Sequence, residues 1–249
     1  ETPEPTLTPT PTPSDTPPPT DTPVPTVTPT LGPNVKWSQP PQYNPASPYP
    51  MCFWGWNEVS IFFGTQAVAD DWLCDDERPI SEIRWWGSYL GWDIPASPPF
   101  PPDAFHLGIW TDVPAGGGEP FSHPDQLIWE WIVPYGNTME TYVGCDYYPG
   151  HSPDSTFEYH FMIPEMEWFY QPPGPNVFWL SVTALYPTPP TINEWGWTTR
   201  EHFYNDAAIR MFDPTAFGIG SVYVAGVPIE DPPLIPWDMS FEIIAADIT

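Results

Sequence analysis

Threonine and proline alternate through the first 33 residues, and that alternation limits this stretch to an extended backbone. It holds 12 prolines and 11 threonines. Proline fixes φ and removes the backbone donor, so no helix can run through it. Little in the stretch is apolar, so it has no core of its own to offset the entropy of ordering. Every threonine falls on an even number, and every proline except Pro18 on an odd one. In a strand, successive residues present their N–H and C=O groups to opposite edges. Proline therefore disables one edge of such a strand, and the threonine edge stays competent to pair.

A strand blocked on one side is tolerated only at the rim of a sheet. The register therefore predicts strand addition to a neighbouring sheet from one side, with further growth refused on the other. The expected docking positions are Thr6, Thr8, Thr10, Thr12, Thr20, Thr22, Thr26 and Thr28. The same composition also suits a solvated polyproline II spacer or an O-glycosylated stalk. Thr8, Thr10, Thr12, Thr16, Thr20, Thr22, Thr26 and Thr28 are the candidate attachment points for covalent O-glycans. No N-glycosylation sequon occurs, and Asn137-Thr138-Met139 falls one residue short of one.

Length bears on where such a tail can lie. In polyproline II, 33 residues reach roughly 100 Å at ~3.1 Å each. The remaining chain, packed compactly, has a radius of gyration of about 17 Å and a diameter of roughly 45 Å. The tail outruns its own domain, so it either folds back or lies on a neighbour.

The expected organisation is a Thr/Pro tail over residues 1–34 and one domain over 35–249. The sequence opens in mid-repeat, without initiator methionine, signal peptide or apolar run of spanning length. It reads as a trimmed product, and an extracellular, secreted or cell-surface location is expected from the mucin-like tail and the scarcity of lysine. The net charge is −27, and the tail holds four of the 32 acids, which leaves 28 against five bases in the domain. Lys36, Arg78, Arg84, Arg200 and Arg210 cannot form a basic patch, which argues against nucleic acid and anionic membranes as partners.

Beyond the tail, 15 Trp, 12 Tyr and 14 Phe supply material for a large core, and proline recurs as punctuation. Short apolar and aromatic runs lie between Pro, Gly, Asn and Asp, the pattern of an all-β chain. The expected strands are Gln66–Cys74, Ile80–Leu90, Ala104–Thr111, Leu127–Val133, Thr156–Ile163, Val177–Tyr186, Ala207–Phe212, Ser221–Ala225 and Ser240–Ile248. Phe157, Tyr159, Phe161 and Ile163 should face inward and Glu158 and His160 outward. The run from Asn176 to Tyr186 is apolar on both faces and should be central. About nine such strands predict an antiparallel β-sandwich of jelly-roll or Greek-key type.

Three groups of residues carry candidate chemistry. Trp54-Gly55-Trp56 and Trp195-Gly196-Trp197 place two indoles on one face of a strand, which would make a stacking platform for sugar rings if exposed. The alternative is that these four indoles are core or interface anchors. Asp70, Asp71 and Asp112 are calcium candidates, although no D-x-D-x-D-G loop accompanies them. Of the three cysteines, Cys74 and Cys145 are the expected disulfide, because both follow expected strands. That leaves Cys52 for a free thiol or a link to another subunit. No H-E-x-x-H or G-x-S-x-G motif is present and the five histidines are scattered, so no catalytic residue is nominated and no cofactor is expected.

Several longer motifs resemble a family of uncharacterised domains in secreted and surface proteins of environmental bacteria and archaea. They are Lys36-Trp-Ser-Gln-Pro-Pro41, Gly55-Trp-Asn-Glu58, Ala69-Asp-Asp-Trp-Leu-Cys74, Ile83-Arg-Trp-Trp-Gly-Ser88 and Phe105-His-Leu-Gly-Ile-Trp-Thr-Asp-Val-Pro114. Ser122-His-Pro124, Trp195-Gly-Trp-Thr-Thr-Arg200 and Phe203-Tyr-Asn-Asp-Ala207 extend the resemblance over nearly all of residues 36–249. It implies an extracellular β-sandwich and carries over no catalytic residue. Cys52 and the fused tail depart from the family pattern. The expected function is a structural subunit of an extracellular fibril or surface assembly, a homopolymer formed by tail docking. The alternative is a carbohydrate-binding module on a mucin-like linker.

Overall fold

The computed structural model describes residues 34–62, 66–188, 190, 192–212 and 218–247. The chain divides into two units, Glu1–Thr30 and Leu31–Thr249, and every described strand belongs to the second. The eight docking threonines and the O-glycosylation candidates all lie outside the described residues.

Fifteen strands and two single-turn 3-10 segments make up the described secondary structure. In chain order the strands are β1 (Val35–Gln39), β2 (Cys52–Trp54), β3 (Asn57–Val59), β4 (Gln66–Cys74), β5 (Ile80–Tyr89), β6 (Ala104–Val113), β7 (His123–Pro134) and β8 (Met139–Tyr147). They continue as β9 (Ser155–Met162), β10 (Asn176–Leu185), β11 (Trp195–Glu201), β12 (Ile209–Phe212), β13 (Ala225–Pro228), β14 (Trp237–Met239) and β15 (Phe241–Ala245). One sheet runs β1-β15-β5-β9-β8-β2, with β11, β3 and β14 joined to it through β5 and β11. The other runs β13-β12-β4-β10-β6-β7. All strand pairings are antiparallel except β2 with β8. The expected sandwich is therefore the observed architecture.

The two-residue period explains most of this layering. On β9, Phe157, Tyr159 and Phe161 are buried while Glu158 and His160 are only partly so. Ile163 is buried too, one residue beyond the strand end. On β10, Phe178, Leu180, Val182 and Ala184 face the other sheet, and Trp179 lies on the outer face among Trp110, Leu127 and Met211. The doubly apolar strand is central, flanked by β4 and β6. Pro124 and Pro134 sit on β7, an edge strand, where proline is tolerated.

Six strands fall outside the nine expected ones. Strands β2, β3 and β14 are three residues each, too short to show a period. β8 mixes polar and apolar residues, with most side chains at least partly exposed. β1 lies beside the Pro-rich tail in sequence, and β11 is marked there only by its indoles. The strand expected at Ser221–Ala225 forms instead at Ala225–Pro228, with Val222 contributing one bridge to Gln126.

The disulfide pairing needs correction. Cys145 bonds Cys52, not Cys74. Strand β2 adds in parallel beside β8 and sets the two cysteines directly opposite, with Cα atoms 4.3 Å apart. Cys74 ends β4 in the other sheet, where its thiol is buried and free. Burial pushes that thiol up, against the pull of Lys36.

A bridge closing a separation of 93 residues should stabilise the domain by about 4 kcal/mol through the unfolded state. We expect Cys52→Ser to lower stability by roughly that amount in denaturant titrations, and Cys74→Ala to cost about 1 kcal/mol. Thiol labelling should find no reactive cysteine in the native protein and one after unfolding.

Candidate functional site

The paired tryptophans do not form an exposed platform. Trp195 and Trp197 are fully buried on β11, and Trp56 is 6 % exposed. Trp195 packs edge-on to Phe105 at 4.9 Å, in space that exists because position 87 is glycine: a Cβ there would lie 2.4 Å from the indole. The Trp197 indole N–H donates to the Ser240 carbonyl (2.9 Å). Gly196 does not leave its other face open, since Asn57 and Leu90 close over it. Trp54 is half-buried and meets Tyr148 edge-on at 5.2 Å, while Trp56 stacks on His151 and donates to Glu58. The indoles act as core fillers, because β11 joins the interior of the larger sheet through β5 and β3.

The acidic residues are placed with more consequence. Asp70 and Asp71 are neighbours on β4, so Asp70 points between the sheets and Asp71 to the outer face. Asp70 is fully buried and accepts from Gln39 Nε2 (2.6 Å), the Met239 N–H (2.7 Å) and the Asp71 N–H (3.0 Å). Burial holds its carboxyl well above the ordinary range, and Asp238 and Asp71 push the same way. Asp238 in turn accepts from His202 Nδ1 and the N–H groups of Phe203 and Tyr204.

On the outer face Asp71 accepts from Asn205 Nδ2 (2.6 Å), and its other oxygen has no partner among the described residues. Burial pushes Asp71 up to about 8, with the charges of Asp238, Asp206 and Asp112 adding. Asp112 accepts from Trp179 Nε1 (2.8 Å) and Asp206 from Ser122 Oγ (2.5 Å). The calcium candidates Asp70, Asp71 and Asp112 are thus split between the two faces of one sheet. Among the described residues no group of three His, Cys, Asp or Glu side chains converges to hold a metal ion.

A second buried pair lies at Asp146 and Asp154. Asn57 Nδ2 and the Asp154 N–H both donate to Asp146, and the Gly91 N–H donates to Asp154. Burial raises both carboxyls, Asp154 to about 6.

Two surface features have no distinct signature in the sequence. One is an open cleft of about 780 Å³ whose walls include Phe100, Pro102, Asp103, Tyr135, Tyr186 and Pro187. Phe100 is 80 % exposed there. Its only trace is in Pro98-Pro-Phe-Pro-Pro102 and Tyr186-Pro187, which look the same as loop punctuation. The other is a pair of open edges. On its outer side β7 pairs only at Gln126, and residues 128–134 face no strand among those described. β8 is covered by β2 at residues 145–147 and by the Met51 carbonyl at Gly144, so residues 139–143 are open too among the described strands. The turn Tyr135–Asn137 joins the two edges, and Tyr135 also lines the cleft.

A protein-family model described as a domain of unknown function, DUF7901, matches residues 35–244. No curated protein and no solved structure matches this chain.

The buried carboxyls set the sign of the pH response. Asp71 and Asp154 hold protons when folded that the unfolded chain releases near 3.8. Their contribution to stability is full below that value and drains away as pH climbs to about 6 for Asp154 and about 8 for Asp71. We expect the thermal midpoint to fall between roughly pH 4 and pH 8, by the equivalent of a few kcal/mol. Asp71→Asn should remove part of that slope in calorimetric scans.

Proposed function

The chain belongs to the DUF7901 family of domains of unknown function, and from that starting point we propose that it is a structural subunit of an extracellular or cell-surface assembly. In this reading the Thr/Pro tail of one copy, carrying O-glycans on part of its threonines, adds to the sheet edge of the next. Neither catalysis nor a cofactor enters.

One observation carries the reading. In sequence the tail runs into β1, one rim of the larger sheet, whereas among the described strands the long unpaired edges lie on β8, toward the other rim of that sheet, and on β7, a rim of the smaller sheet. Four strand-to-strand steps separate β1 from β8, roughly 19 Å at ~4.8 Å each. Donor and acceptor on opposite sides make a heterologous contact that propagates rather than closing on itself. An open edge is ordinarily blunted or covered, and a strand with proline on its far side would cover it without exposing a new one. The rival reading as a carbohydrate-binding module rests on the paired indoles, three of which are buried.

The test compares full-length protein, the Leu31–Thr249 unit and a Thr8→Pro/Thr10→Pro/Thr12→Pro variant by sedimentation velocity and negative-stain imaging. Extra prolines remove the remaining backbone donors but leave a polyproline II chain intact. We expect polymers from the full chain only. A tail-less protein that still polymerises overturns the proposal.

A further inference from the structure

The two-residue register of the tail breaks once, at Pro17-Pro18-Pro19. Pro18 occupies an even position, so three consecutive residues lack a donor and the segment cannot ladder with a strand on either side. Its fixed dihedrals favour polyproline II, whose backbone makes no internal hydrogen bonds. A tail that docks as a strand on both sides of this point must satisfy its middle differently.

The domain has a matching interruption. The open edge of β7 (residues 128–134) and the open edge of β8 (residues 139–143) are separated by the turn Tyr135–Asn137. At that turn lies the cleft walled by Phe100, Pro102, Tyr135, Tyr186 and Pro187. Aromatic-lined grooves are the recurring receptors for polyproline II, because ring faces pack on pyrrolidine rings and the ligand is already ordered. The Tyr135 hydroxyl donates to Ser97 Oγ at 2.9 Å, which fixes its ring at the cleft. Asp103 is the one charged side chain in the lining among the described residues. The tail has no lysine or arginine to pair with it, so recognition there is apolar.

We propose that this cleft receives the Pro17-Pro18-Pro19 segment of a second copy's tail, placing the Thr/Pro arms on either side of it against the two open edges. The inference rests on the reading of the chain as a tail-docked polymer and names its receptor. A tail reaching roughly 100 Å spans from one domain to the next with both arms to spare.

The test uses full-length protein and a fluorescent peptide of residues 12–24, followed by polarisation, alongside sedimentation of the same variants. Phe100 is exposed, so Phe100→Ala leaves the fold intact, and Tyr186→Phe serves as a conservative second variant. We expect peptide binding that weakens about tenfold or more in Phe100→Ala and is retained in Tyr186→Phe. It should vanish when Pro17, Pro18 and Pro19 of the peptide are alanine. Equal binding by the alanine peptide, no binding at all, or displacement by simple sugars but not by the peptide overturns the assignment. If removing the tail abolishes polymers while Phe100→Ala and the triple Pro→Ala chain polymerise normally, the cleft is wrong and tail docking stands. Polymers from the tail-less protein defeat both.

Discussion

The volume of indole rings between two sheets is the constraint on which the rest of the domain depends. Trp72, Trp85, Trp195 and Trp197 are all fully buried between the layers, with Phe105, Tyr159 and Phe241 among them. Rings of that size pack only where small residues face them, and Gly87 opposite Trp195 is such a place. Burial of this much aromatic surface is a large favourable term in folding. Two layers therefore suffice, with no α-helix among the described residues.

A chain with five cations cannot neutralise its carboxylates by pairing. The five are themselves engaged: Arg78 with Asp76, Arg84 with Glu82 and Glu242, Arg210 with Glu58, Arg200 over the Phe203 ring, and Lys36 on the Arg78 carbonyl. The buried aspartates are met instead mainly by neutral donors such as Gln39, Asn57, Asn205, Trp179 and backbone N–H groups, and one oxygen of Asp71 has no partner among the described residues. Neutral donors compensate burial less fully than a cation does, so the carboxyls at Asp70, Asp71 and Asp146 favour the protonated form. The domain's acidity is thus a property of its interior as well as its surface.

The layering is legible in the sequence because alternation survives wherever a strand has one wet face, as on β9, or has none, as on β10. The boundaries of β4 are readable to the residue. What escapes are elements defined by their partners. β2 exists because β8 lies beside it, and only that parallel pairing brings Cys52 to Cys145; position after a strand pointed to Cys74. The burial of the β11 indoles leaves no mark, because their spacing is the same on a buried strand and an exposed one. The cleft escapes because prolines that terminate strands and prolines that build a wall look alike in sequence. The Thr/Pro register is visible only in the sequence, as it falls outside the described residues.

In the proposed assembly, where the tail links one copy to the next, the Cys52–Cys145 bridge has a mechanical meaning. Tension arriving at residue 34 passes first to β1, which is held along β15 by the register Val35↔Ile244 to Gln39↔Phe241. Should β1 peel away, the covalent link diverts the load from Cys52 straight to Cys145. Strands β3 to β7 lie inside that shortcut, so a pull between residue 34 and the C-terminal end cannot unravel them while the sulfur–sulfur bond holds. Extension is confined to the segments before and after the loop, and reduction would lengthen the yielding part of the chain by its enclosed residues.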